Sequence, residues 1–229
     1  MSQLIRKAMA ECLGVFALVF FGCGGSMLLE RYPQAGSPLL IPVIFGTTVM
    51  VMVYTLGHIS GAHFNPAVTL AFAAARHFPK KEVLAYWTAQ FSGGFLATAL
   101  LSILMPRTSN FGAAVPQISW PAVFVWECLL TFFLMLVIMA VATDTRAVGT
   151  MAGIAIGAIV MLGAYLGGPF SGASMNPARA LAPALFQHEI RFLWVYFAGP
   201  AAGAVAGALF YEWIRCEPKN ADHAAKGCC

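Results

Sequence analysis

Asn65 and Asn176 hold the same place in two near copies of one phrase. The first copy reads Ser60-Gly61-Ala62-His63-Phe64-Asn65-Pro66-Ala67-Val68, and the second reads Ser171-Gly172-Ala173-Ser174-Met175-Asn176-Pro177-Ala178-Arg179. Asn is a good N-cap, and Pro directly after it suits the first helical position, where its missing N–H would have had no partner. Each phrase predicts a helix beginning at its Asn-Pro step. A helix N-terminus carries partial positive charge and the Asn amide adds donors, so two such ends facing one point repel cations and protons. An uncharged hydroxylic molecule finds donors there. It finds acceptors along the unwound segments ahead of each helix, in the backbone carbonyls of Gly61, Ala62 and His63 and of Ala173, Ser174 and Met175. A single Asn-Pro-Ala is ordinary turn chemistry; a pair preceded by the same Ser-Gly-Ala is a strong signal of a shared site.

What must position this pair is short and apolar. Residues 65–77 and 176–186 give, at 1.5 Å per residue, roughly half of a ~30 Å hydrocarbon core, so these helices enter a membrane without crossing it. Composition agrees. The chain of 229 residues is 60% hydrophobic and 10% charged, which places it among membrane proteins. Charge-free runs cover residues 12–29, 32–57, 83–106, 129–143, 147–178 and 192–211, and the shorter fourth reaches spanning length once Glu127 is accepted inside the membrane.

The net charge of +4 does not point to nucleic acid, because of where the cations fall. With six spans and a cytoplasmic N-terminus, the inner side holds Arg6, Lys7, Arg76, Lys80, Lys81, Arg146, Arg215, Lys219 and Lys226, and the outer side Arg31, Arg107 and Arg191. That asymmetry puts both termini in the cytoplasm. The brief loops suggest a bacterial inner (plasma) membrane. The N-terminal apolar run is a span and not a secretory signal, since it has a partner later in the chain. Cys12, Cys23 and Cys128 read as small apolar packers and imply no disulfide framework. Cys216, Cys228 and Cys229 belong to a polar cytoplasmic tail, 216–229, whose thiols are read as idle; the sharper alternative is that they bind a soft metalloid.

The spans are expected at 4–29, 38–56, 82–105, 121–142, 148–166 and 192–213. Span two is expected to stop before Gly57-His58-Ile59-Ser60-Gly61, which is too polar and Gly-rich for a lipid-facing helix. Glu-Cys-Leu recurs at Glu11-Cys12-Leu13 and Glu127-Cys128-Leu129, and Gln90 with Gly93 is answered by Pro200 with Gly203. Three spans per repeat is an odd number, so the second copy lies upside down about an axis in the membrane plane. The expected fold is all-α: six transmembrane helices and two re-entrant half-helices, in inverted three-helix repeats (about 4–105 and 121–215) forming one channel domain, 1–215, around a central pore. The half-helices then enter from opposite faces, and Asn65 and Asn176 meet near the midplane.

These features resemble the aquaporin and aquaglyceroporin (major intrinsic protein) family, in a bacterial-type form. The paired Asn-Pro-Ala boxes carry the resemblance, with Gly57-His58-Ile59-Ser60-Gly61-Ala62-His63-Phe64 before the first and Arg179 closing the second. The resemblance covers about residues 4–215. It implies a passive channel for water in every subunit of a homotetramer in the lipid bilayer, with Asn65, Pro66, Ala67, Asn176, Pro177 and Ala178 at its centre. By position it assigns the outer selectivity filter to Phe45, Ala164, Ala173 and Arg179. Ala164 stands where strict water channels carry His, which implies a wider, less polar constriction that also admits glycerol and metalloid acids such as arsenite or boric acid. Ala180 and Ala184 depart from the glycerol-channel pattern and leave a strict water channel as the alternative. The resemblance also gives Glu11 and Glu127 a scaffolding role, each accepting hydrogen bonds from the backbone of its re-entrant loop.

The competing class is a secondary transporter, in which Glu11 and Glu127 would relay protons; no ion-coordinating acid lies beside either helix break. No nucleophile with a base and no cofactor fingerprint is present, so an enzyme is not expected. His58 and His63 lack companions for a metal site and read as loop donors.

Overall fold

A computed structural model describes residues 1–106, 111–144 and 149–215. Arg107, Arg146 and the tail with Cys216, Lys219, Lys226, Cys228 and Cys229 lie outside the described residues. Among the described residues there are eight α-helices and no strand: α1 (Gln3–Arg31), α2 (Leu40–Ser60), α3 (Pro66–Ala74), α4 (Val83–Leu104), α5 (Trp120–Thr143), α6 (Ala152–Ser171), α7 (Pro177–Phe186) and α8 (Val195–Ile214).

Five segments are long and apolar enough to cross a membrane: α1, α2, α4 with the turn before it, α5, and α6 with the turn before it. The sixth span is α8. It has 20 residues, about 30 Å at 1.5 Å per residue, but its many Gly and Ala residues, with Pro200 and Glu212, make it less apolar. Those small residues let it lie close to α5, which matters where lipid is as apolar as Leu and helices associate through close packing. A Cβ at Gly203 would lie 2.1 Å from the Cys128 carbonyl of α5, and one at Gly93 would lie 2.2 Å from the Cys12 carbonyl of α1. The two halves therefore cross at equivalent points, α1 on α4 and α5 on α8, while α2 packs on α6 between them.

α3 and α7 have 9 and 10 residues, about half a membrane thickness each. Asn65 caps α3 by accepting from Ala67 N, and Asn176 caps α7 by accepting from Ala178 N and Arg179 N, with Pro66 and Pro177 in the first helical positions. The Asn-Pro starts expected from the sequence are the observed ones.

One expectation is corrected. α2 does not stop before Gly57 but runs through Ser60, and α6 runs past 166 to Ser171. Gly61 and Gly172 are what end them, with φ of +87° and +78°, each turning its own N–H back to the carbonyl four residues earlier. A left-handed residue closing a helix in this way is the usual reason for glycine at that place. Gly57 is simply part of the last helical turns.

Polar ties gather at one face. Lys7 meets Glu82 at 3.0 Å, joining α1 to the start of α4, and His77, just after α3, meets Glu212 of α8 at 2.8 Å. Arg215 adds a second contact to Glu212. At the other end of α1, Arg31 donates to the Pro106 carbonyl at 2.7 Å.

Candidate functional site

Between each long helix and the half-helix after it lie five residues, three of them at positive φ. After the left-handed Gly61 come Ala62 and Phe64 at φ of +51° and +49°; after Gly172 come Ala173 and Met175 at +41° and +51°. Left-handed conformations in residues with a Cβ cost of order 1–3 kcal/mol each and persist only where the surroundings hold them. Here a buried carboxylate does so. Glu11 accepts from Ser60 Oγ at 2.6 Å, His63 N at 3.0 Å, Phe64 N at 2.6 Å and Gln90 Nε2 at 2.7 Å. Glu127 accepts from Ser171 Oγ at 2.8 Å, Ser174 N at 3.0 Å and Met175 N at 2.7 Å. Both carboxylates are fully buried. Converging N–H groups of this kind form an anion nest, and with the loop N–H groups bonded to the carboxylate, carbonyls are left without partners.

The sequence predicts a stripe of such carbonyls. Among the described residues the carbonyls of Gly61, Ala62, His63 and Ser174 accept no protein hydrogen bond. The Met175 carbonyl is not free: it accepts from Asn65 Nδ2 at 2.7 Å, and the Phe64 carbonyl accepts from Asn176 Nδ2 at 2.8 Å. Each half-helix cap is thus tied to the opposite loop. An amide NH2 has two hydrogens, so one on each Asn remains for a solute.

A cavity with about 570 Å³ of space free of protein atoms runs past both Asn residues. Its polar wall is the pair of loops; its other walls are apolar side chains such as Val49, Leu134, Ile138 and Val160. A second cavity opens beyond it between the α1–α2 loop and the end of α6. The residues common to both are Phe45, Ala164, Ala173 and Arg179. Arg179 is 5% exposed, its Cζ stands 5.1 Å from the Phe45 ring centre, and its Nη1 is enclosed without a partner among the described residues. A guanidinium over an aromatic face is held there by cation–π attraction, and an unpartnered buried donor is costly unless something supplies an acceptor.

Sequence reasoning missed the second layer of this site. The Tyr86 and Tyr196 hydroxyls each donate at 2.7 Å to a helix-ending carbonyl, Ser60 and Ser171 respectively. Their signal was available, since each tyrosine stands four residues before the matched Gln90 and Pro200. Thr69, joined to Gln90 and His63, has no such echo in the second repeat and could not be found that way.

Six spans, two half-helices each tied by its cap to the opposite loop, and a cavity lined by unpartnered donors and acceptors are the arrangement of a membrane channel. The family model described as Major intrinsic protein matches residues 1–211. The chain is 48% identical to Aquaporin NIP1-1 of Oryza sativa subsp. japonica over 212 residues, covering 92% of this chain and 75% of that one. It is 45% identical to Nodulin-26 of Glycine max over 223 residues, covering 97% and 82%. The X-ray structure of the aquaglyceroporin from Plasmodium falciparum shares the fold, with a TM-score of 0.80 at 24% identity over 92% of this chain and 96% of that chain. This chain belongs to the major intrinsic protein family. It is a multi-pass membrane channel for water and small neutral solutes, not an enzyme. The two relatives named are plant proteins and lend no support to the bacterial setting suggested by the brief loops.

Proposed function

We propose that Phe45, Ala164, Ala173 and Arg179 are the selectivity filter of this channel, and that it passes glycerol and neutral metalloid acids such as arsenite or boric acid besides water. The observation that carries this reading is that, among the described residues, these four and no others line both cavities. Ala164 and Ala173 offer only methyl groups, so the width of the opening is set by Phe45 and Arg179. Arg179 Nη1 supplies a donor to a hydroxyl or carbonyl oxygen, while its fixed charge repels cations. Asn65 and Asn176 give the next donors, and the carbonyls of Gly61, Ala62, His63 and Ser174 the acceptors. A neutral hydroxylic solute exchanges its hydration for these groups; an ion finds no replacement shell.

In this reading residues 1–215 form one channel domain with both termini cytoplasmic. Arg6, Lys7, Arg76, Lys80, Lys81 and Arg215 fall on the face tied together by the Lys7–Glu82 and His77–Glu212 contacts, and Arg31 and Arg191 on the other. The assembly is a homotetramer with a pore in each subunit, as the family resemblance implies.

The test is stopped-flow light scattering from liposomes containing the purified protein, against an impermeant osmolyte and then against glycerol. Fast shrinkage in both followed by fast reswelling in glycerol is the expected result. Fast shrinkage without accelerated reswelling leaves a strict water channel, the reading favoured by Ala180 and Ala184. Shrinkage no faster than in empty liposomes removes the proposal.

A further inference from the structure

Gly14, Leu18 and Gly22 follow one another at four-residue steps on α1, so they share a face of the helix. Leu18 lines the first cavity, and against each glycine lies an aromatic ring that lines it too. A Cβ at Gly22 would lie 2.2, 2.5 and 2.5 Å from Cε1, Cδ1 and Cζ of Phe45. One at Gly14 would lie 2.0, 2.1 and 2.7 Å from Cε1, Cδ1 and Cγ of Phe64. Carbon atoms in ordinary contact stand about 3.5–4.0 Å apart, so neither ring could sit where it does against a side chain. Glycine inside a helix costs about 0.5–1 kcal/mol relative to alanine, and here it gives each ring its seat.

The second repeat supplies the comparison. At the spacing from Glu11 to Glu127, the residues matched to Gly14, Leu18 and Gly22 are Leu130, Leu134 and Ile138. At the spacing from Asn65 to Asn176, those matched to Phe45 and Phe64 are Ile156 and Met175. Leu134, Ile138, Ile156 and Met175 line the cavity with their own apolar side chains. Ring and glycine thus occur together in one half and are absent together from the other.

We infer that this face of α1 sets the calibre of the pore: Gly22 is a specificity-determining position that acts through Phe45, and Gly14 a positioning residue that acts through Phe64. The inference rests on the filter reading above. At Gly22 the atoms met are the outer edge of the ring, which can swing. The open space beside that ring is the pair of cavities it lines, so an added methyl group drives it roughly 1 Å or more into the opening it shares with Ala164, Ala173 and Arg179. At Gly14 the atoms met reach back to Cγ, so the backbone of Phe64 must give. That backbone donates to Glu11 at 2.6 Å and accepts from Asn176 Nδ2 at 2.8 Å. One substitution on α1 therefore narrows the filter, and the other loosens the cap amide of α7.

The test is water and glycerol permeability of liposomes holding the full chain as wild type, Gly22→Ala, Phe45→Leu and the double variant, with folding read by thermal melting. Gly22→Ala should cut the ratio of glycerol to water permeability roughly tenfold, the order of discrimination a tight apolar site gives. Phe45→Leu should raise that ratio. Adding Gly22→Ala to it should then change the ratio by less than about twofold, because no ring is left to displace. Gly14→Ala should instead lower water and glycerol permeability together, and Phe64→Leu in the same chain should restore them. In a wild type that passes only water, the same samples are compared by water permeability. A wild-type ratio in folded Gly22→Ala overturns the inference, as does a loss that persists undiminished beside Phe45→Leu, since its cause is then helix spacing and not the ring. If Gly22→Ala does not fold, a folded double variant supports the seat and an unfolded one overturns it. Wild-type conduction by Gly14→Ala overturns the assignment of Gly14. An unchanged ratio in Phe45→Leu alone removes the filter reading at Phe45 and the role of Gly22 with it, whereas a raised ratio there beside an unaltered Gly22→Ala removes this inference alone.

Discussion

The Asn65 amide donates to the Met175 carbonyl at 2.7 Å across 110 residues of sequence. Its oxygen meanwhile accepts from Ala67 N at 2.9 Å, so one side chain both starts α3 and holds the opposite loop. Asn65→Asp separates these tasks. Asp is as good an N-cap as Asn, so α3 should still start at Pro66. The bond to Met175 becomes oxygen facing oxygen, and the donor offered to the solute becomes negative charge. Thermal stability should fall by about 1–3 kcal/mol, and liposomes should begin to pass sodium or potassium. Continued cation exclusion by a folded Asn65→Asp protein would show that the helix ends and Arg179 suffice without this amide.

Glu11 and Glu127 each receive hydrogen bonds from two backbone N–H groups and a serine hydroxyl. In Glu127→Gln one oxygen becomes an NH2 facing Met175 N or Ser174 N, donor against donor. Hydrogen bonds to charged groups contribute about 1.5–3 kcal/mol, so the variant should lose at least that much stability and much of its water permeability, as the Ala173–Met175 backbone relaxes. A proton relay would behave differently. It would give the wild type a proton current that the Gln variant lacks, and pH-sensitive dye in the liposome lumen distinguishes the two.

Both repeats and both half-helix starts were legible in the sequence because Asn-Pro is local chemistry and the repeat doubled the signal. Gly57 and Gly61 were harder, because composition does not say which glycine of a cluster adopts positive φ; only Gly61 does, and α2 continues to it. The occupied Met175 carbonyl was not legible either, since its partner Asn65 belongs to the other repeat. Likewise Thr69, Gln90 and His63 come together only through the crossing of α3, α4 and the first loop.

Ala164 is the filter position where the proposal is most exposed. His at 164 would place an imidazole where a methyl group faces the space between Phe45 and Arg179. Ala164→His should cut glycerol permeability roughly tenfold or more, by the size discrimination a tight pocket gives, while water still passes. An unchanged ratio of glycerol to water permeability would mean that the narrowest point lies elsewhere in the cavity.

Helix contact offers a prediction with its own control. A Cβ at Gly93 or Gly203 would meet a backbone carbonyl, of Cys12 or Cys128, that cannot move without its helix. Each cysteine directly follows the glutamate that holds a loop, so parting α1 from α4, or α5 from α8, also shifts Glu11 or Glu127. Gly93→Ala and Gly203→Ala should each cost about 1–3 kcal/mol through overpacking, with water permeability falling alongside. Gly168 of α6 has nothing within 4 Å of such a Cβ and carries no positive φ. Gly168→Ala should leave stability unchanged or raise it by about 0.5–1 kcal/mol, the usual gain of Ala over Gly inside a helix. Thermal melting of the three variants in one detergent compares them directly. Equal melting temperatures for all three would mean that the helices part at Gly93 and Gly203 without strain.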